Sequence, residues 1–226
     1  MIRVSATLLE SFRLLRDFEW MKPEDFANRV KRVPIDPVPE VMLLGTAFHA
    51  ISEGLAEYNC ELTINQPCAP PSYTYDGFAF DAESADFALK ELHSGVAEVK
   101  AADSTISSKH GDITLVGKAD YLKGVTAHEI KTKKGKNFDP LQYADSFQWK
   151  MYCRVFGVSK VTYHLVRLDQ DKESMIWFAK ADTLDMYAYP DLNNEVDRAA
   201  RECVDYIHEL GLISHLSKSS DQQEAV

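Results

Sequence analysis

Positive charge is scarce in this sequence. Its 226 residues carry 25 lysines and arginines against 35 aspartates and glutamates, a formal net charge of −10. That sign argues against a chain whose whole surface grips nucleic acid, because phosphate contacts need lysine and arginine. It leaves room for a local basic patch, and a divalent-cation site itself needs carboxylates. Cysteine is scarce too. Cys60, Cys68, Cys153 and Cys203 include no pair at CxxC spacing, so a zinc or iron–sulfur site has no local support. Free thiols in a reducing compartment are the expectation. No apolar run has the length of a membrane-spanning helix, and Met1-Ile2-Arg3-Val4-Ser5 lacks the features of a signal peptide. These absences lead us to expect an intracellular protein with no membrane partner.

Hydrophobic residues make up 45% of the chain, enough for one sizeable core. With no repeat and no obvious linker, the expectation is one domain. Within it we expect N-terminal helices over 1–92, a sheet core over 93–181, a C-terminal helix within 182–216 and a flexible tail over 217–226. Leu8, Leu9, Phe12 and Leu15 recur at helical spacing after Ser5, a good N-cap, and predict a helix over 5–20. Pro23 can start a second helix. A third is expected from Val41 to Asn59, followed by a proline-rich loop over 65–77 and a helix over 82–92. Strands are expected at Val96–Ala101, Ile113–Tyr121 and Val125–Thr132, with Asp103–Asp112 as a polar loop. A helix over 139–156 should end at Gly157. Val161–Leu168 and Ser174–Ala181 should form a hairpin, and a last helix should run from Leu192 to Leu210. The fold class expected is α/β.

Chemistry concentrates between Gly117 and Thr132. The segment reads as a hairpin turning at Lys123-Gly124. Alternation along a strand puts Glu129 and Lys131 on one face, with Ile130 and His128 on the other. Either plausible register sets Asp120 opposite or diagonal to Glu129. Two carboxylates supply the hard oxygens that Mg²⁺ or Mn²⁺ prefers, and Lys131 can orient a water or stabilise charge on a phosphate. The plain alternative is a solvent-facing Glu–Lys pair of little consequence. His49, with Glu53 one turn later, offers a further ligand from the third helix. Gln148 and Tyr152, four residues apart, share a helix face and can hydrogen-bond to phosphate or to a catalytic group. Lys131, Lys133, Lys134 and Lys136 form the one clear anion-attracting run.

Ser5-Ala6-Thr7, Gly45-Thr46-Ala47-Phe48-His49, Gly117-Lys118-Ala119-Asp120, Glu129-Ile130-Lys131 and Gln148 to Tyr152 occur in an order that resembles the PD-(D/E)XK nuclease superfamily. Within it they resemble the RecB-like and RecE-like exonucleases. The resemblance implies a restriction-endonuclease-like core, a central mixed β-sheet flanked by helices. It implies that Asp120, Glu129, the Ile130 carbonyl and His49 hold one or two Mg²⁺ or Mn²⁺ ions, and that Lys131 is the catalytic lysine. Gln148, Tyr152 and Glu53, with Lys133, Lys134 and Lys136, would support the site or the DNA. Ala119 stands where the name motif has proline. Leu15 stands where many relatives place the first cysteine of an iron–sulfur cluster, and Cys203 has no cysteine neighbours. The resemblance therefore points to a DNA exonuclease without such a cluster, of the kind found in phage and prophage recombination. Its setting would be the cytoplasm of a bacterium or phage-infected host. A homo-oligomer and a single-strand annealing partner would accompany it. An endonuclease on the same fold and a non-catalytic DNA-binding module are the alternatives.

Overall fold

The computed structural model describes residues 1–18, 20–59, 71–92, 95–135 and 138–216. β1 (Ile2–Ser5) runs straight into α1 (Ala6–Phe18). Ser5 caps that helix, its hydroxyl accepting from the Leu8 N–H at 3.2 Å, so it is both the end of a strand and a cap. α2 (Pro23–Lys31) starts at its proline. α3 (Glu40–Ser52) stops short of the expected Asn59. Gly54 takes φ 76° there, and the chain turns into β2 (Glu57–Asn59). Part of the expected proline-rich loop is instead a hairpin of β3 (Ser72–Tyr75) and β4 (Phe78–Asp81). Its two-residue turn has positive φ at both Asp76 and Gly77. Residues 60–70, with Cys60 and Cys68, lie outside the described residues, as do 217–226. α4 (Ala82–Phe87) continues into a π-helical turn, Ala88–Leu92.

The expected polar loop Asp103–Asp112 is a correction. β5 (Val96–Ser108) and β6 (Gly111–Lys123) run through it and meet at a tight turn. Ile106 and Ile113 are buried partners there, which outweighs the polar character of their neighbours. β7 (Thr126–Lys134) follows, then α5 (Leu141–Ala144) and α6 (Phe147–Phe156) where one helix was expected. Gly157 ends α6 with φ 65°. β8 (Lys160–Gln170) and β9 (Trp177–Tyr187) form the expected hairpin; β8 is longer at both ends, while β9 starts at Trp177 instead of Ser174 and runs on past Ala181, so 182–187 belong to the sheet. α7 (Leu192–Glu209) closes the helical set.

Among the described residues the sheet has nine strands, in the order β1-β6-β7-β8-β9-β4-β3-β2, with β5 also paired to β6. It is mixed. β1 with β6, β7 with β8, and β4 with β9 are parallel, and the other pairs are antiparallel. The parallel β7–β8 step requires a crossover, which α5 and α6 supply. One face of the sheet packs on α1, α6 and α7 through Leu9, Phe12, Met151, Tyr163 and Val204. The other packs on α3 and α4 through Phe48, Ile51, Ala85, Ile130 and Val166. Helices thus flank a central mixed sheet on both sides. Among the described residues, no helix is long and apolar enough to cross a membrane.

Candidate active site

The site forms where the sheet is interrupted. Along one edge β6 pairs with β5 almost throughout. Along the other it pairs with β1 over Ile113–Val116 and with β7 over Tyr121–Lys123. Among the described residues, Gly117 to Asp120 therefore have no strand on that edge. Buried backbone groups need partners, and side chains supply them. The Asp120 carboxylate accepts the Ile130 N–H at 2.7 Å, and the Tyr152 hydroxyl donates to the Lys118 carbonyl. Gly117 permits this approach, since a Cβ there would lie 3.0 Å from the Phe156 ring and 3.5 Å from Tyr152.

Glu129 is only 6% exposed. One of its oxygens accepts from the Lys131 ammonium at 2.9 Å and from the Gln148 amide at 2.7 Å. The other faces the Tyr152 hydroxyl at 3.1 Å, and Gln148 also donates to Tyr152 at 2.9 Å. The single Tyr152 proton is shared between Glu129 and the Lys118 carbonyl. Three donors on one buried carboxylate fix its orientation. α6, which carries Gln148 and Tyr152, is itself anchored. Ser146 accepts from the Gln148 N–H at 3.1 Å, and Glu10 of α1 accepts from the Phe147 N–H at 2.8 Å and from the Ser146 hydroxyl at 2.9 Å. A negative charge at a helix N-terminus is favourable. The buried Arg13 holds Glu10 in turn, at 2.6 Å.

α3 brings His49 to the same place. Gly45, one turn before it, lies so close to β7 that a Cβ would sit 2.7 Å from the Thr132 hydroxyl oxygen. His49 Nδ1 is 3.7 Å from Asp120 Oδ1. Burial pushes the Asp120 carboxyl up to about 8, and the nearby Glu129 charge adds to it. Burial also holds His49 below the usual imidazole range. For Lys131 burial works against the charge, but Glu129 and Asp120 outweigh it and hold the ammonium above its ordinary value. Beside the site opens a cleft of about 650 Å³, lined among others by His49, Glu53, Glu98, Lys118 and Thr132. Burial raises Glu53 there, and the charge of Glu98 raises it further.

Asp120, Glu129, Lys131, His49, Gln148 and Tyr152 are thus gathered, and Glu53 lies at the rim. The Ile130 side chain is in the core, on the opposite face from Lys131. Lys134 leaves the group: it pairs with Glu40 at 3.1 Å and lies over the Trp177 ring on the other face. Lys133 stays on the Lys131 face, over Phe138. Lys136 lies outside the described residues. Glu10, Glu98, Lys118 and Thr132 were not anticipated. Glu98 stands where β5 skips a pair opposite Asp120, with φ 54°, and it bridges to Lys118. No local pattern announces such a contact.

The donor chemistry suits a hard divalent cation. Asp120 and Glu129 are near enough for the charge of one to raise the other, and a cation between them would relieve that repulsion; His49, held below the usual imidazole range by burial, stands beside Asp120. Among the described residues, no group of three or more His, Cys, Asp or Glu side chains is placed to hold a metal ion. Glu129 is turned towards α6.

No protein-family model and no curated protein matches the chain. Solved structures do. A protein of Eubacterium rectale, provisionally named an exonuclease, aligns over 95% of this chain and 82% of its own at 12% identity, with a TM-score of 0.51. A structure named SSO0001 aligns over 91% and 76% at 15% identity with a TM-score of 0.48. An alkaline exonuclease of Laribacter hongkongensis aligns over 92% and 91% at 14% identity with a TM-score of 0.42. The likeness is one of architecture. The fold is α/β, with the restriction-endonuclease-like central mixed sheet flanked by helices.

Proposed function

We propose that this protein is a nuclease and, more narrowly, a Mg²⁺- or Mn²⁺-dependent deoxyribonuclease that digests DNA from an end. One observation carries the reading. A buried glutamate, bonded to a partly buried lysine, lies beside a second, partly buried carboxylate at an interruption in the sheet. An ion pair kept for solubility would lie in solvent. The architecture shared with the Eubacterium rectale protein supports the same reading. Asp120, Glu129, the Ile130 carbonyl and His49 would hold one or two ions. When bound, such an ion polarises a phosphate and lowers the pKa of a water. Lys131 keeps its proton and so presents a fixed positive charge to the phosphate oxygens as negative charge grows on them. Gln148 and Tyr152 hold Glu129 against rotation. α3 sets His49 against Asp120, and the surrounding burial limits bulk water at the reacting phosphate. The chain acts in this reading as one nuclease domain on DNA. A homo-oligomer, an annealing partner and a role in phage recombination rest on the sequence resemblance alone.

End-labelled linear duplex incubated with Mg²⁺ or Mn²⁺ tests the proposal, with closed circular DNA as the substrate that lacks an end. Loss of label from the linear form, sparing of the circle and a fall of about 10²- to 10³-fold for Lys131→Ala are expected. A Lys131→Ala protein that digests at the parent rate overturns the mechanism. Digestion of the circle overturns end dependence.

A further inference from the structure

The strands beyond the site carry cations in a row that sequence order hides. Lys133 of β7 is the register partner of Arg167 on β8, and Arg167 is the partner of Lys180 on β9. Register partners share a face, and Lys133 shares its face with Lys131 two residues earlier. The catalytic row itself is Lys131, Leu165 and Asp182. Leu165, Asp182, Arg167 and Lys180 all line one cleft of about 750 Å³, closed on one side by Phe138 and Pro140. Asp182 is the one carboxylate in that lining, and Asp169 pairs with Arg167 at 2.8 Å. Like charges set directly across strands destabilise a sheet. Asp169 offsets part of the Arg167 charge, and the row still gathers three cations on adjacent strands of a chain whose net charge is −10. The Phe138 ring, with Lys133 over it at 5.7 Å, adds an aromatic surface to the cationic one. Cations that track a backbone beside a ring that stacks bases are the combination that binds single strands. The cleft has the volume of a small-molecule site.

We propose that this cleft is the path of a single DNA strand leading to or from the catalytic centre, with backbone phosphates on Arg167 and Lys180 and a base against Phe138. The inference rests on the nuclease reading, and its test separates the two. The probe is a fluorescein-labelled oligothymidylate, titrated by anisotropy in Ca²⁺ at several salt concentrations. Each phosphate contact contributes about −0.7 to the slope of log K against log salt for a single strand. Arg167→Ala/Lys180→Ala is expected to flatten the slope by about 1.4 and to weaken binding. Phe138→Ala is expected to weaken binding about 5- to 100-fold with the slope unchanged. Lys180→Glu, at an exposed position, keeps the test decisive if the Arg167 variant folds poorly. Lys90→Ala on α4's π-helical extension is the control for a general loss of charge. Unchanged slope and affinity in the Arg167/Lys180 variant, with the parent cutting linear duplex, overturn the cleft and leave the nuclease reading standing. A parent that neither binds the oligonucleotide nor cuts DNA overturns both. A loss as large in Lys90→Ala as in Lys180→Glu also overturns the cleft.

Discussion

Glu129 accepts from Lys131, Gln148 and Tyr152, but the three donors do different work. Tyr152 also satisfies the Lys118 carbonyl at the sheet interruption, so its hydroxyl belongs to the fold as well as to the site. Gln148 serves Glu129 and Tyr152 and no backbone group through its side chain. The two substitutions should therefore separate. If Glu129 is a metal ligand as proposed, Gln148→Ala is expected to lower the cleavage rate about 10- to 100-fold with little change in the urea midpoint. Tyr152→Phe leaves a buried acceptor without a donor and is expected to lower stability by about 1–3 kcal/mol. Rate assays and urea melts on both proteins check this, and equal losses of stability would refute the division.

At the scale of elements, the site depends on how closely α3 lies against β7. A Cβ on Gly45 meets the Thr132 hydroxyl oxygen, and His49 follows one turn later on the same helix. Gly45→Ala should force the helix or the threonine to move and carry His49 away from Asp120. The expected result is a loss of activity larger than the loss of stability. Thr132→Ala removes the obstructing atom, so the double variant should regain most of the activity, a coupling measurable by a double-mutant cycle. Failure of that rescue would show that Gly45 matters for another reason. These elements also show where the sequence was informative. Strand parity in 117–132 placed Asp120, Glu129 and Lys131 together, because alternation is local and strict. Gly157 and Pro23 marked helix ends for equally local reasons. β1 is four residues long and too short for periodicity to register. The β3–β4 turn was available as Tyr75-Asp76-Gly77-Phe78, a strong hairpin signal obscured by the prolines before it. The Glu10 cap on α6 spans more than a hundred residues of sequence, and no local pattern carries such a contact.

For the whole molecule, two buried groups pull stability in opposite directions with pH. His164 stacks with His128, their ring nitrogens 3.0 Å apart, and burial with the His128 charge pushes it down to about 4 from 6.5. Its contribution is fully present above pH 6.5 and is lost as pH falls towards 4, worth about 3 kcal/mol. Asp120 is raised to about 8 from 3.8, so the native state holds a proton there that the unfolded state releases. In EDTA its contribution is therefore present at low pH and lost as pH rises through 4 to 8. Between pH 4 and 6.5 the two terms offset each other, so melting temperature against pH in EDTA should be nearly level there and fall between pH 6.5 and 8. Asp120→Asn should remove the alkaline fall, and Mn²⁺ should raise the parent's melting temperature more at pH 8 than at pH 5. An alkaline fall that survives in Asp120→Asn would be inconsistent with this account. The distribution of charge over the molecule follows the same division between what sequence order shows and what it hides. The run from Lys131 to Lys136 was visible as a string, yet Lys134 turns to the opposite face, and Arg167 and Lys180 join Lys133 only through strand register.

The interruption in β6 leaves the Ile130 amide bound to a titrating carboxylate instead of to a neighbouring strand's carbonyl. That proton is a natural spectroscopic probe. Its NMR resonance should shift as Asp120 loses its proton or takes up a cation, while amides in the continuous ladders of β7 and β8 stay still. An isotope-labelled sample titrated with Mg²⁺ would thus report occupancy of the site from the backbone itself, without substrate and without a mutation.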